Sequence, residues 1–254
     1  MAQKPRGGWA AGPPPSPPAE GDVLVVFAEL GLPAADILDM AECLSPDERA
    51  RAQRFHFERD RNRFVAGRGI LRSLLGQFLG VDAGEVAFQY GPHGKPRLAD
   101  QAATGDLRFN LSHSQDGALF AVTRGRDVGV DLEFIRPLRD MDAVAHRCFS
   151  DRVNAELHDL PPEQELRRFF TWWARREAFQ KATGEGLAAP LTGFDVAPNA
   201  GGPSHQVLHP SRPADRERWR IADLDLHPDF AAALAMDAHT WNLACWLWPP
   251  PAGG

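Results

Sequence analysis

Residues 127–133 read DVGVDLE. Val128, Val130 and Leu132 alternate with Gly129, Asp131 and Glu133. Successive side chains of a strand point to opposite faces, so the pattern predicts a strand with an apolar trio on one face and two carboxylates on the other. Two like charges roughly 6.5–7 Å apart repel by about 2–3 kcal/mol at an effective dielectric near 20. A solvent-facing acidic strand edge tolerates that cost. A divalent cation between the carboxylates would reverse it, and an all-oxygen ligand set favours Mg2+.

A third carboxylate stands in WWARREAFQKATGEGL, residues 172–187. Phe169, Trp173, Glu177 and Lys181 recur at i, i+4 and share one helix face, which Phe170 and Ala174 widen with apolar surface. A glutamate in such a stripe must find a partner, shift its pKa or coordinate a metal. An exposed i, i+4 pair with Lys181 would satisfy it, at roughly 0.2–0.5 kcal/mol. So would packing against the 127–133 strand, which gathers Asp131, Glu133 and Glu177 and leaves Lys181 for a phosphate or a leaving group.

Around these two elements the chain reads as strand, helices, strands, then helices and strands again. DVLVVFAEL (22–30) is β-branched and apolar. LSPDERARAQRF carries a helix start: Ser45 caps, Pro46 suits the first helical position and Glu48 completes a capping box. A second helix is expected from about Asp60 to Leu79, with Phe64, Ile70, Leu71, Leu74, Leu75 and Phe78 as its apolar side. Glu85–Tyr90 is strand-like, and GPHGKP (91–96) is turn chemistry. LRFNL (107–111) and GALFAVT (117–123) are strands joined by Ser112–Asp116, and Arg124-Gly125-Arg126 turns into the 127–133 strand. Helices are expected at about 138–158 and from Pro162 to Thr183, followed by strands GFDVA, RWRIADLDL, FAAALAM and WNLACWLW. Each half is an α+β unit, without a sequence repeat.

Composition narrows the function classes. No uninterrupted apolar run approaches the roughly 20 residues a membrane helix needs. The Pro/Gly-rich start, residues 1–20, lacks the apolar core of a signal peptide and is expected as a disordered tail, as is 249–254. Cys43, Cys148 and Cys245 are scattered, with neither a C-x-x-C pair nor zinc-ligand spacing, which fits reduced thiols in a cytoplasm. A net charge of −6 argues against general nucleic-acid binding. Yet Arg49, Arg51, Arg54, Arg59, Arg61, Arg63, Arg68 and Arg72 cluster, either as a solvated helix face or as a local anion site. FNLSHS (109–114) ends a strand with Ser112 and His113, which either cap a turn or bind a phosphate. There is no G-x-S-x-G elbow, P-loop or G-x-G-x-x-G.

Three motifs in order resemble the Sfp-type 4′-phosphopantetheinyl transferases: YGPHGKP followed by FNLSHS, then VGVDLEFIRP, then WWARREAFQKATGEGL. The resemblance runs from about Leu44 to Leu187 and on toward Trp248. It implies an α+β fold of two similar halves in a pseudo-twofold arrangement, with the active site in the cleft between them. The N-terminal half, 21–125, would bind coenzyme A, and the C-terminal half, 126–248, would be metal-binding and catalytic.

The implied reaction moves 4′-phosphopantetheine from coenzyme A to a serine of an apo acyl or peptidyl carrier protein and releases adenosine 3′,5′-bisphosphate. Such carriers serve fatty acid, polyketide or peptide synthesis. Asp131, Glu133 and Glu177 would hold Mg2+, with Mn2+ as the alternative, and Glu177 would also be the general base. Lys181 would stabilise phosphate charge. Ser112 and His113 would meet the phosphates, and Lys95, Arg51 and Arg63 the adenosine or 3′-phosphate end. Arg176 stands where the family usually has lysine before the motif glutamate, and is expected to keep its charge near the ligand. At 254 residues the chain resembles the longer, monomeric members, with no membrane or nucleic-acid partner.

Overall fold

Strand alternation and helical spacing resolve into two sheets and two long helices in a computed structural model of the chain, which describes residues 8–91, 94–100, 104–184, 194–198, 204–208 and 214–249. The first sheet holds β1 (Ala10–Ala11), β2 (Asp22–Glu29), β5 (Leu107–Ser114), β6 (Gly117–Arg124) and β12 (Asn242–Leu247), in the order β1-β12-β2-β6-β5. The second holds β7 (Val128–Phe134), β8 (Asp195–Pro198), β9 (His205–Leu208), β10 (Trp219–Asp223) and β11 (Phe230–Asp237), in the order β7-β11-β10-β9-β8. A hairpin of β3 (Phe88–Tyr90) and β4 (Pro96–Leu98) stands beside the first. The helices are α1 (Ala34–Glu42), α2 (Pro46–Ala52), α3 (Glu58–Leu79), α4 (Met141–Cys148), α5 (Asp151–His158), α6 (Pro162–Thr183) and α7 (Asp215–Arg218).

Alternation sorts the strands into layers. β2 and β6 send Leu24, Val26, Phe120 and Val122 toward the buried side of α3, which contributes Ile70, Leu71, Leu74 and Leu75. Their opposite faces, Val23, Val25, Leu119 and Ala121, meet Val128, Val130 and Leu132 of β7 and Leu234 and Met236 of β11. The remaining face of β11, Ala231, Ala233 and Ala235, packs on Ala174, Ala178 and Phe179 of α6. The layers are helix, sheet, sheet, helix, and α3 and α6 each have 22 residues.

The capping box at Ser45 and Glu48 forms as expected, and Glu48 does more than cap. It is 1% exposed, and its Oε2 accepts from Arg72 Nε at 2.6 Å. Arg72 also donates to the carbonyls of Ala83 and Val86, so this buried ion pair ties α2 and α3 to the chain that follows.

Three expectations change, and a fourth, the helical region at about 138–158, is met by two helices. Residues 8–20, expected as tail, form a strap: Trp9 Nε1 donates to the Asp225 carbonyl, β1 pairs with β12, and the Pro14 and Pro18 carbonyls accept from Gln77 and Arg124. Proline lacks an N–H but keeps its acceptor, so a Pro-rich stretch can still be held from outside. Residues 1–7 and 250–254 lie outside the described residues. β12 crosses back into the first sheet, parallel to β2, because Ala244 and Trp246 fit the α3-side core while Cys245 fits the core between the sheets. The second half is therefore not one continuous stretch of 126–248. The region 138–158 is two helices, divided where Phe149 bridges Phe194 and Ser150 caps α5. β5 continues through Ser112 and His113 to Ser114, and Gln115 takes φ 53° in the short turn to β6.

Of the described glycines, Gly129 has the tightest surroundings, where α6 lies directly on β7. A Cβ there would sit 2.1 Å from the Ala178 carbonyl oxygen and 2.3 Å from the Ala182 nitrogen, both backbone atoms of a long helix. Gly67, inside α3, would meet only Leu30 Cδ2 at 3.9 Å. Gly129→Ala is expected to cost about 3 kcal/mol or more by pushing α6 off the sheet. Gly67→Ala should be neutral or stabilising by up to about 1 kcal/mol through helix propensity. Denaturant unfolding of the two variants measures the contrast, and equal effects would contradict the packing described.

Candidate active site

Asp131 and Glu133 leave β7 on the face opposite Val130 and Leu132, as alternation predicts, and so look toward α6. Asp131 is 3% exposed. Its Oδ1 accepts from Lys181 Nζ at 2.6 Å and from Ser112 Oγ at 2.9 Å, and Lys181 Nζ also meets Ser112 Oγ at 2.7 Å. Its Oδ2 is buried without a hydrogen-bond partner. Glu133 Oε1 accepts from Trp173 Nε1 at 3.1 Å. Burial and the neighbouring Asp131 charge push the Glu133 carboxyl up to about 7, against the opposing pull of Lys181 and the Trp173 N–H.

Glu177 is buried, and it makes no ion pair with Lys181, so the exposed i, i+4 reading of this pair does not hold. Its Oε1 accepts instead from Arg176 NH1 at 2.6 Å, while the same NH1 reaches Gln180 Oε1 at 3.1 Å. Burial raises the Glu177 carboxyl above the usual carboxylate range, more than the Arg176 guanidinium lowers it. Arg176 is itself buried and lies over the Trp173 ring. It was expected near the ligand; the structure turns it into the helix as the partner of Glu177 and Gln180.

β5 crosses the site. Ser112 faces the second sheet and bonds Asp131, whereas the next residue, His113, is exposed on the other side of the strand. The crowding of its surroundings, then the charges of Lys181, Arg63, Arg51 and Arg68, hold the His113 imidazole below the ordinary histidine value. Those cations come from different elements and converge around one histidine. Arg63 is anchored by Asp116 at 2.8 Å, and Arg51 lies over the Phe64 ring. Beyond them a cleft of about 650 Å3 opens, lined by Asp47, Arg51, Arg54, Phe55 and Tyr90 among others. The arginine cluster thus divides: Arg68 and Arg72 are buried, Arg63 is half-buried, and Arg49, Arg51, Arg54, Arg59 and Arg61 are exposed.

Lys95 does not join this group. It was expected at the adenosine or 3′-phosphate end of a ligand, but its ammonium points into the protein and donates to the carbonyls of Val128, Lys181 and Ala182. Burial pulls its pKa down to about 8.

The chemistry of the carboxylate group suits a divalent cation. Its donors are all oxygens, one buried acceptor lacks a partner, and two of the three carboxyls are held above their usual range mainly by burial. Among the described residues, however, no three His, Cys, Asp or Glu side chains are gathered as a metal site. Lys181 occupies one oxygen of Asp131, and Arg176 one oxygen of Glu177. Three participants escaped the sequence reading: Trp173 as donor to Glu133, Gln180 as partner of Arg176, and Asn110, whose Oδ1 accepts from Val130 N. The i−4 spacing of Trp173 from Glu177 was the one available signal for the first.

Comparison with known proteins agrees with these motifs. The family described as "4'-phosphopantetheinyl transferase, N-terminal" matches residues 33–124, and the "4'-phosphopantetheinyl transferase superfamily" matches 127–235. The chain is 40% identical over 241 residues to the 4′-phosphopantetheinyl transferase HetI of Nostoc sp., covering 94% of this chain and 97% of that protein. It is 33% identical to a putative 4′-phosphopantetheinyl transferase of Synechocystis sp., covering 73% of this chain and 74% of that one. It is 26% identical to the 4′-phosphopantetheinyl transferase Sfp of Bacillus subtilis, over 76% and 87% of the two chains. Matched in both halves and along nearly its whole length, the chain belongs to the Sfp-type 4′-phosphopantetheinyl transferase family of enzymes.

Proposed function

We propose that this transferase moves 4′-phosphopantetheine from coenzyme A to a serine of an apo acyl or peptidyl carrier protein, with Mg2+ as its metal and adenosine 3′,5′-bisphosphate as the leaving product. The observation that carries the reading is a pair of charged environments on the two sides of β5. On one side lies a buried carboxylate with an unpartnered oxygen, Asp131, beside Lys181 and Ser112; on the other lie His113 and the surrounding arginines. A ligand with a pyrophosphate and a further phosphate needs charge of this kind at both places.

Asp131, Glu133 and Glu177 are the residues that would hold Mg2+. When bound, the cation supplies neutralising charge to the pyrophosphate oxygens. The residues of the chain do the rest. Lys181, fixed by Asp131 and Ser112, presents positive charge where the phosphoryl group gathers negative charge. His113, Arg63 and Arg51 receive the phosphates of the nucleotide end. Glu177 takes the serine proton: Arg176 holds its Oε1, its Oε2 has no partner among the described residues, and burial raises its affinity for a proton. The serine oxygen bonds to the β-phosphorus, the bond from that phosphorus to the bridging oxygen breaks, and adenosine 3′,5′-bisphosphate leaves with the bridging oxygen.

Intact-mass measurement of a panel of apo carrier proteins after incubation with coenzyme A and Mg2+ tests the reading. One added phosphopantetheine group on at least one carrier supports it. Free phosphopantetheine formed without a carrier would mean a hydrolase instead, and no coenzyme A-dependent change in any carrier would reject transfer.

Asp131→Asn keeps the shape of the side chain and removes its charge. Transfer should fall by about 100-fold or more with little change in melting temperature, and chelation should abolish wild-type activity until Mg2+ is restored. Near-normal turnover in folded Asp131→Asn protein would take this residue out of the reaction.

Glu177→Gln should collapse single-turnover transfer while weakening coenzyme A binding by only a few-fold, because Lys181, His113 and the arginines remain. An unchanged single-turnover rate would leave Glu177 as a partner of Arg176 and nothing more.

The pH dependence has a definite sign. Glu133 titrates at about 7 folded against 4.5 unfolded, so between those values the metal-free fold carries the extra proton and its stability falls as pH rises. A bound divalent cation competes with that proton. Mg2+ affinity should therefore climb by about tenfold per pH unit below pH 7 and level off above it, measured by calorimetric titration. A flat profile would exclude Glu133 from the metal site.

A further inference from the structure

The carbonyls around Lys95 define a task different from ligand binding. Lys95 precedes β4, and its own carbonyl accepts from Gly91 N at 2.9 Å, so its backbone is fixed by closure of the β3–β4 hairpin. Pro96 follows, which confines Lys95 to extended backbone. From that fixed base the side chain leaves the first half and enters the second. Its Nζ lies 3.2 Å from Val128 O, 2.5 Å from Lys181 O and 3.4 Å from Ala182 O. An ammonium has three N–H donors and no acceptor, so three carbonyls use them all.

Two of these acceptors are a specific kind of oxygen. α6 ends at Thr183, and the Gly184 N–H caps it by donating to Gln180 O. The carbonyls of Lys181 and Ala182 belong to the last turn, where a helix has no partners of its own and where its dipole favours positive charge. Lys95 therefore caps α6 from the opposite half of the molecule. The third acceptor, Val128 O, lies on β7 next to Gly129, the point where that strand touches α6.

The consequence falls on one side chain. Lys181 gives its backbone carbonyl to Lys95 and its Nζ to Ser112 and Asp131. It is held at both ends, and at each end a residue of the first half takes part. We propose that Lys95 is a positioning residue for the transfer reaction: it caps the last turn of α6 across the cleft and thereby fixes where the Lys181 ammonium stands. This assignment rests on the function proposed above for Lys181. It also places the GKP turn in the mechanism without giving its lysine to coenzyme A.

Lys95→Met keeps the length of the stem and removes the amine, and Lys95→Gln retains two N–H donors should the first variant fail to fold. A third form, Lys95→Cys alkylated with bromoethylamine, restores an amine at the same reach. Steady-state transfer is measured with coenzyme A and with dephospho-coenzyme A, and amide hydrogen exchange is followed through the last turn of α6. Positioning predicts a kcat reduced by about 10- to 100-fold, a KM for coenzyme A changed by less than about threefold, and an unchanged preference for coenzyme A over its dephospho form. Exchange at Ala182–Gly184 should quicken, and the alkylated cysteine should recover most of kcat. A KM raised for coenzyme A alone would make Lys95 a 3′-phosphate ligand and overturn the proposal, as would full kcat in a folded variant. If the wild-type protein transfers nothing, the proposed function fails on its own terms. Hydrogen exchange then still decides the cap: faster exchange in the variants upholds it, and unchanged exchange overturns it.

Discussion

The free edge of β7 is the constraint on which the rest of the site depends. β7 pairs with β11 on one side only, so its other side presents unpaired backbone groups at the centre of the molecule. Among the described residues no further strand pairs with them. Val128 O accepts from Lys95 Nζ, Val130 N donates to Asn110 Oδ1, and Phe134 N donates to Ser114 Oγ. All three partners belong to the first half of the chain. Side chains of β5 and of the β3–β4 hairpin thus serve as the missing neighbour of β7. The two halves cannot separate, or slip by a residue, without orphaning buried backbone groups at a cost of about 1–3 kcal/mol each.

That seam also carries the chemistry. Asn110, Ser112 and Ser114 occupy alternate positions of β5, so strand period alone puts them on one face, and the middle one meets a carboxylate instead of backbone. Ser112 therefore joins the seam to Asp131 and Lys181. The intervening residue, His113, must point the other way, toward α2 and α3. One strand consequently spans two charge environments: carboxylates and an ammonium on one side, arginines on the other. A substrate that extends from one to the other passes across β5.

The fold was largely legible because its elements carry strong local signals. The whole of α6, from Pro162 to Thr183, follows from its proline start, its apolar stripe and its glycine end, and β7 follows from seven alternating residues. What escaped is long-range. Nothing local shows that WNLACWLW belongs beside β2 instead of β11, because both sheets offer an apolar bed to an alternating strand. The strap at residues 8–20 is held by carbonyls of prolines and by one indole, interactions that composition reads as disorder. α1 was missed, since Pro33 leads into a nine-residue helix without a capping hydrogen bond.

The site divides in the same way. Helical and strand period point Asp131, Glu133, Glu177 and Lys181 at one another, and in the structure Lys181 pairs with Asp131, whose charge also acts on Glu133 and Glu177. The direction of Arg176 and Lys95 was not readable, because a long cationic side chain can turn inward or outward from the same backbone position.

Energetics separate two of the ion pairs of this protein. Glu48 and Arg72 are both at most 2% exposed, and Arg72 spends its donors on Glu48 and on backbone carbonyls, so the pair fixes how α2, α3 and the following chain meet. Asp131 and Lys181 lie equally close, at 2.6 Å, and each pair leaves one buried carboxylate oxygen without a hydrogen bond, Glu48 Oε1 and Asp131 Oδ2, but the first has the Arg68 guanidinium 3.7 Å away. Asp131 Oδ2 is buried and unpartnered, Lys181 remains partly open to the cleft, and two further carboxyls stand near enough to feel the Asp131 charge. Leaving one such acceptor unmade costs about 1–3 kcal/mol, and a like charge nearby adds to that. An apolar residue at position 131 would avoid both costs and hold β7 to α6 at least as well. The stability given up at Asp131 is therefore stability that binding could restore: under the proposed function, a cation held by these carboxyls would supply the positive charge that the orphaned oxygen and the mutual repulsion call for, and would leave the Lys181 ammonium available to phosphate.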